Sequence, residues 1–246
     1  MLLRMIARFL AVALFALAAP SWAHAQVAEA SRQPVVVELY TSQGCGQCRR
    51  ANRLLGVLAR EPNVIALTFP VGYWDYLGWR DTFAQPEFTE RQRNFSRTLR
   101  FRGLSTPQLV IDGVRQAGAD DWDLARATVE EVKATPRLPG APSVSIERIP
   151  GGRVRATVGA GRTPVPADVW FLAFDPGPFN VMITHGENAR RSIAHYNLVR
   201  WIRRAGSWNG AATYFEAPRC ATQCAVIVQG PNGGPVLGAA MTARER

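Results

Sequence analysis

Two cysteines separated by two residues, Cys45 and Cys48, stand where a strand-like run, residues 35–40, gives way to a helix-like one, residues 51–59. A cysteine at the start of a helix meets unpaired backbone N–H groups and the positive end of the helix dipole, which favour the reactive thiolate over the thiol. A second cysteine one turn later can attack a mixed disulfide formed by the first. The motif therefore predicts a thiol–disulfide oxidoreductase in which Cys45 attacks and Cys48 resolves.

The N-terminus predicts export. Residues 1–8 carry two arginines, residues 9–19 are apolar, and residues 23–25 read Ala-His-Ala, a small-residue cleavage site. A membrane anchor is the alternative, but the apolar run is shorter than the roughly 20 residues that span a bilayer. We therefore expect a signal peptide over residues 1–25, no transmembrane segment after its cleavage, and a periplasmic or secreted protein in which disulfides persist.

The charge narrows the choice of partners. The chain has 246 residues and a net charge of +10, carried almost entirely by arginine. The arginines are scattered and do not form a basic run interleaved with aromatic residues, so we expect no nucleic-acid partner. The charge favours association with anionic surfaces or acidic clients. The length exceeds that of a typical single domain, which predicts two domains.

The first half of the chain alternates strands and helices. After the CxxC helix, the pattern predicts a strand over residues 64–69, an aromatic segment over 73–81, a helix over about 86–99, a hairpin that turns at Asp112-Gly113, and a helix over 122–134 capped by Asp120-Asp121. The order strand, helix, strand, helix, hairpin, helix is the thioredoxin topology. It predicts an α/β thioredoxin-like domain over residues 33–138.

Two further residues join the predicted site on the strength of this topology. In thioredoxin-like folds a cis-proline precedes the third strand beside the redox pair, and Pro107 after Thr106 fits that position. It would shape the groove that holds an extended substrate. In thioredoxins an acidic residue beneath the redox pair helps to move the proton of the resolving thiol, and Glu38 is the candidate here. The alternative for Glu38 is a side chain that points to solvent from a strand edge.

The second half of the chain is predicted to be a smaller domain of antiparallel strands over residues 141–246. A Pro/Gly-rich linker, residues 136–142, precedes it, and short alternating runs separated by turns follow. Residues 190–208 are compatible with either a strand or a helix.

Several motifs resemble an uncharacterised family of secreted thioredoxin-like proteins, the domain of unknown function 1223. The matching runs are residues 38–45 with Cys48, 73–79, 88–92, 106–108, and 186–188 followed by His195, Asn197, Val199 and Arg200. The resemblance spans nearly all of the mature chain. The resemblance implies the thioredoxin-like fold, but it implies no particular reaction, because the family has no settled one. Gln47 and the Arg49-Arg50 pair stand where many members have small residues, which implies a different redox poise.

Cys220 and Cys224 form a second pair with a four-residue step, which suits a local disulfide. The alternatives are a second redox pair that exchanges with the first, and a Cys₄ zinc site built from both pairs. We expect no metal and no cofactor. His185 and His195 have either structural or ligand-binding roles, and the aromatic segment forms either core or a substrate platform.

Two functions follow from these patterns. The first is an exported oxidoreductase that uses Cys45–Cys48 to exchange disulfides with protein or small-molecule thiols. The second is a non-enzymatic binding module on a thioredoxin scaffold, in which the cysteines are structural or bind a metal. The motif alone is compatible with both.

Overall fold

A computed structural model describes residues 33–243, so the predicted signal peptide, residues 1–25, lies outside the described residues. The helices are α1 (Cys48–Leu58), α2 (Pro86–Thr98) and α3 (Trp122–Ala134). The strands are β1 (Val35–Thr41), β2 (Val64–Pro70), β3 (Gln108–Ile111), β4 (Arg115–Gly118), β5 (Val144–Arg148), β6 (Val154–Val158), β7 (Ala167–Asp175), β8 (Phe179–Ile183), β9 (Arg191–His195), β10 (Leu198–Trp208), β11 (Thr213–Ala217), β12 (Gln223–Gln229) and β13 (Val236–Met241).

The first four strands build one end of a large mixed sheet in the order β2-β1-β3-β4. β1 runs parallel to β2 and antiparallel to β3, and β3 pairs with β4 through the predicted hairpin. Asp112 and Gly113 at the turn both have positive φ, 49° and 64°, which Asp and Gly tolerate better than other residues. Since β1 and β2 are parallel, their carboxyl ends meet at one edge of the sheet, and the CxxC segment leaves from that edge.

Four strands from the second half of the chain extend the same sheet, whose full order is β13-β12-β7-β10-β2-β1-β3-β4. The junction is short: β10 pairs with β2 only at Leu198 and Thr68. Asn197 reinforces it, because its backbone carbonyl accepts a bond from Thr68 N and its side-chain amide donates to the Ala66 carbonyl at 2.7 Å. Strands from both predicted domains, residues 33–138 and 141–246, therefore pair in one eight-stranded sheet.

The remaining strands form two small antiparallel sheets, β11-β6-β5 and β8-β9. Residues 190–208, open between strand and helix in the sequence, form β9 and β10. The prediction of a mixed α/β protein with antiparallel strands in its second half is confirmed at this level. Among residues 33–243, no helix has the length and apolar character that crossing a membrane requires.

The two faces of the sheet bury different cores. Val37 and Leu39 of β1 pack with Leu54 and Leu55 of α1 and with α3. Tyr40, on the alternate face, packs with α2 and with strands of the second half of the chain. Side chains alternate across a strand, so only odd-numbered residues of β1 face the CxxC helix. A third core lies between the β11-β6-β5 sheet and β7 with β12.

Candidate functional site

The two cysteines of the CxxC motif are joined in a disulfide at the start of α1. Their Cα atoms are 5.4 Å apart. Cys48 is the first residue of the helix and is fully buried, whereas Cys45 lies in the preceding loop and retains 6% of its surface. Within residues 33–243 no side chain caps the N-terminus of α1, and its first turn holds no acid. Cys45 is therefore the more accessible of the two cysteines.

Pro107 lies beside this disulfide. The Thr106–Pro107 peptide bond is cis, as the sequence analysis expects, and it directly precedes β3. The Cys45 Sγ atom lies 3.7 Å from the Thr106 carbonyl oxygen. Pro107 itself is buried, while Ser105 and Thr106 retain access to solvent. The structure thus brings Cys45, Cys48 and Pro107 together.

The aromatic segment divides between core and site. The Tyr73 ring packs against the core, and its hydroxyl donates to Gln92 Oε1 at 3.3 Å. Trp74 turns toward the cysteines, where its indole N–H donates to Thr106 Oγ1 at 2.7 Å. Tyr76 stacks on Trp74 with ring centroids 6.2 Å apart and is 76% exposed. The exposed Tyr76 ring and the half-buried Trp74 ring thus form a stacked aromatic pair near Thr106.

A loop from the second half of the chain holds the CxxC segment in place. Asn188 is fully buried, and its side-chain amide donates to the carbonyls of Gln43 and Cys45 at 2.9 and 2.8 Å. The neighbouring Glu187 accepts a bond from the Gly46 backbone N–H at 3.0 Å. Breaking these hydrogen bonds would leave buried polar groups without partners and destabilise the folded state. The contacts therefore hold the loop that carries Cys45 in one position.

A buried carboxylate anchors the same loop from the other side. Asp81 Oδ2 accepts a bond from the Gln43 backbone N–H at 2.8 Å, and Oδ1 accepts one from Phe83 N at 2.9 Å. Trp79 donates to the Gln43 side-chain oxygen at 2.9 Å. Burial raises the pKa of Asp81 to about 6, the two backbone N–H bonds oppose that rise, and the nearby charge of Asp75 adds to it.

Replacing Asp81 with Asn is expected to change the pH dependence of stability. The folded-state pKa is raised, so folding takes up a proton between pH 3.8 and about 6. The stability contributed by this group is fully present below the unfolded pKa and is lost as the pH rises through about 6. The free energy of unfolding of the wild type, minus that of Asp81→Asn, should rise by up to about 3 kcal/mol as the pH falls from 7 to 4. Urea titrations across this range measure the difference, and a flat difference contradicts the expectation.

Glu38 does not reach the cysteine pair. As an even-numbered residue of β1 it faces away from α1, and it forms a two-pronged ion pair with Arg91 of α2 at 2.6 and 2.7 Å. Tyr40 donates its hydroxyl to the same carboxylate at 2.9 Å. Burial is the main cause that raises the pKa of Tyr40 well above its ordinary value, and the Glu38 charge adds to it. Glu38 is neither beneath the disulfide nor exposed to solvent at a strand edge.

Uncharged polar side chains occupy the space beneath α1 instead. Thr41 Oγ1 donates to Asn52 Oδ1 at 2.8 Å, and Asn52 Nδ2 lies 3.4 Å from Nδ1 of the buried His195. Because an amide nitrogen only donates, His195 Nδ1 accepts and its proton sits on Nε2. Burial, with a smaller contribution from the charge of Arg200, lowers the pKa of His195 to about 4. His195 is therefore neutral at physiological pH. His185, by contrast, is exposed and pairs with Thr184.

The second pair, Cys220 and Cys224, is also joined in a disulfide, as the sequence analysis expects. Both residues are buried in the third core, with β7 and β12. The structure does not bring the two pairs together. Across residues 33–243 no three His, Cys, Asp or Glu side chains converge as metal ligands, so the Cys₄ zinc alternative finds no site there.

Asp81 and Asn188 are the site residues that sequence reasoning missed. Both contact Gln43, from positions 38 and 145 residues away along the chain. Asn188 belongs to the Gly186-Glu187-Asn188 motif and Asp81 ends the aromatic segment, so both motifs were visible in the sequence. Their contacts were not, because Asp81 reaches Gln43 through the parallel pairing of β1 with β2, and Asn188 reaches it through the return of the second half of the chain to this edge.

The described residues thus form a mixed α/β protein with a CxxC disulfide at one edge of its sheet. The chain belongs to the family described as Protein of unknown function (DUF1223), whose model matches residues 36–229. Among solved structures, it is similar to the crystal structure of an Agrobacterium tumefaciens protein determined by a structural genomics consortium. The identity is 27% and the TM-score 0.68, and the match covers 88% of this chain and 100% of that one. The comparison with curated proteins found no significant match.

Proposed function

We propose that this protein is a periplasmic or secreted thioredoxin-like thiol–disulfide oxidoreductase. The observation that carries the proposal is the placement of the cysteine pair. Cys45 lies in the loop just before α1 and is 6% exposed, Cys48 is the fully buried first residue of α1, and Thr106-Pro107 lies beside Cys45. An attacking thiolate needs access and electrostatic stabilisation, and a resolving thiol needs protection from the solvent and from competing partners.

The order of elements supports the thioredoxin-like assignment. The sequence β1-α1-β2-α2-β3-β4-α3 builds the sheet order β2-β1-β3-β4, with α1 and α3 on one face and α2 on the other. The strands of the second half extend this unit at the β2 side. The N-terminal sequence and the two disulfides support an oxidising compartment outside the cytoplasm.

The proposed reaction is an exchange of two electrons between dithiol and disulfide. The Cys45 thiolate attacks one sulfur of a substrate disulfide, forms a mixed disulfide, and releases the other sulfur as a thiolate that takes up a proton. Cys48 then loses its proton and attacks Cys45 Sγ, which frees the second substrate thiol. The protein is left with the Cys45–Cys48 disulfide and the substrate with two thiols; the reverse sequence oxidises a substrate.

Reduction of insulin in the presence of dithiothreitol tests this function. Cys45→Ser is expected to lose the catalysed rate completely, because no thiolate remains to attack. The matched control is Cys220→Ala combined with Cys224→Ala. It should keep the rate within about twofold and lose only about 1–2 kcal/mol of stability, since a short loop constrains the unfolded chain little. A tenfold slower control that remains folded would mean that the second pair takes part in the exchange.

A further inference from the structure

A groove of about 450 Å³ opens next to the CxxC disulfide. It begins at the two residues between the cysteines and continues along the exposed side of α1 toward the turn before α3. Its lining residues are Gly46, Gln47, Arg49, Arg50, Arg53 and Asp120. The volume lies in the range of pockets that hold small ligands.

Three arginines dominate the charge of this groove. Arg53 follows Arg49 by four residues and Arg50 by three, so all three guanidinium groups project from one side of α1. Arg49 is half-buried, and the other two are exposed. Within residues 33–243 none of them forms an ion pair; the Arg50 guanidinium lies 5.8 Å from the centre of the Trp122 ring. Three like charges this close repel one another unless an anion lies between them.

The carboxylates near the groove do not neutralise it. Asp120 is exposed and supplies one negative charge against three positive ones. Glu187 accepts a bond from the Gly46 N–H at 3.0 Å and keeps its charge, so together with Asp120 it offsets two of the three positive charges. The groove therefore keeps an excess of positive charge within a few residues of the reacting sulfur.

We propose that this groove selects the substrate: a small disulfide or thiol that carries carboxylate groups. The inference rests on the proposed oxidoreductase function and names the substrate class of the same site. Guanidinium groups bind carboxylates through paired N–H donors, which suits them to hold a substrate's acidic end. A carboxylate held beside Arg49 and Arg53 would direct the rest of the substrate along the groove toward Gly46, the lining residue next to Cys45. The groove's size favours a small molecule over a folded protein surface.

Exchange rates with three small disulfides test the proposal. The reduced protein is mixed at low ionic strength with anionic 3,3′-dithiodipropionate, neutral 2-hydroxyethyl disulfide and cationic cystamine. In each reaction the protein dithiol becomes a disulfide and the reagent is reduced to two thiols. Each rate is divided by the rate at which dithiothreitol reduces the same reagent. This ratio corrects for the different intrinsic reactivities of the three disulfides. We expect the normalised rate to be highest with the anionic reagent, lower with the neutral one and lowest with the cationic one. At 1 M salt, where the Debye length is about 3 Å, the three rates should differ much less.

Charge-matched variants separate the groove from the net charge. Combining Arg49→Gln, Arg50→Gln and Arg53→Gln should lower the ratio of anionic to neutral rates by about tenfold, chiefly through KM. The control combines Arg60→Gln, Arg162→Gln and Arg219→Gln, which removes the same charge from exposed positions elsewhere, and should keep the ratio. An unchanged ratio in the first variant, or an equal fall in both, overturns the proposal. If no disulfide reacts with the wild type, the oxidoreductase function itself fails.

Discussion

Cys48→Ser is expected to convert the protein into a trap that stays attached to its substrates. Cys45 still attacks a disulfide, because its access and its place before α1 are unchanged. The mixed disulfide then persists, since the buried resolving thiol one turn away has been removed. Non-reducing gels, which detect protein adducts, and intact-protein mass spectra, which detect small ones, should show adducts at least about tenfold more abundant than in the wild type, and reductant should remove them.

The control for this experiment is Cys45→Ser, which keeps a thiol at position 48. Cys48 is fully buried, so this variant should form no adducts above background. Adducts that form on Cys45→Ser and not on Cys48→Ser would reverse the assignment of attacking and resolving cysteines. Absence of adducts from both variants would favour the binding-module alternative.

Arg91→Met is expected to destabilise the protein by about 3–5 kcal/mol, because it leaves the Glu38 carboxylate buried without its partner. Both side chains are nearly inaccessible, and Arg91 also donates to Gln229 Oε1 at 3.0 Å. Its guanidinium lies 5.1 Å from the centre of the Phe95 ring, so packing is lost as well. Urea unfolding monitored by tryptophan fluorescence measures the loss.

Removing both charges should recover much of that stability. In Glu38→Leu combined with Arg91→Met no unpaired charge remains, and apolar groups of similar size fill the space. If the double variant is no more stable than Arg91→Met alone, then the unpaired Glu38 carboxylate is not the cause of the destabilisation. The double variant also tests the function first predicted for Glu38. Since Glu38 faces away from α1, the folded double variant should keep its insulin-reduction rate. A tenfold loss of that rate would instead support the predicted role of Glu38 in moving the proton of the Cys48 thiol.

Local patterns in the sequence were sufficient for the helices and most strands. The predicted helix over residues 122–134 coincides with α3, where Asp121 caps the N-terminus by accepting from the backbone N–H groups of Asp123 and Leu124. Pro86 opens α2 as predicted, because a proline at the first helical position gives up no hydrogen bond. β11 lacks the apolar alternation that predicts a strand, because four of its five residues are exposed or half-buried.

The contacts of Glu38, the residues beneath α1 and the shared sheet depend on the three-dimensional arrangement of the chain, which local sequence patterns do not indicate. Glu38 was predicted from the place of an acidic residue in thioredoxins, but the face of the strand decides which residues it contacts. The two-residue period of the strand turns Glu38 toward Arg91. The space beneath α1 is filled by Asn52 of α1 and by His195, which comes from a distant part of the chain. The shared sheet depends on a junction of very few residues, at Asn197 and Leu198, that no local pattern indicates.

The reduction potential of the Cys45–Cys48 pair tests the central proposal most directly. It is measured by equilibrating the protein with dithiothreitol or glutathione buffers and quantifying the free thiols of Cys220→Ala/Cys224→Ala, which retains only this pair. A working exchange centre predicts a value between roughly −120 and −270 mV, where a disulfide can be both formed and broken by biological partners. A value below about −300 mV would mean a disulfide that resists reduction, and it would contradict the oxidoreductase account in favour of a structural bond.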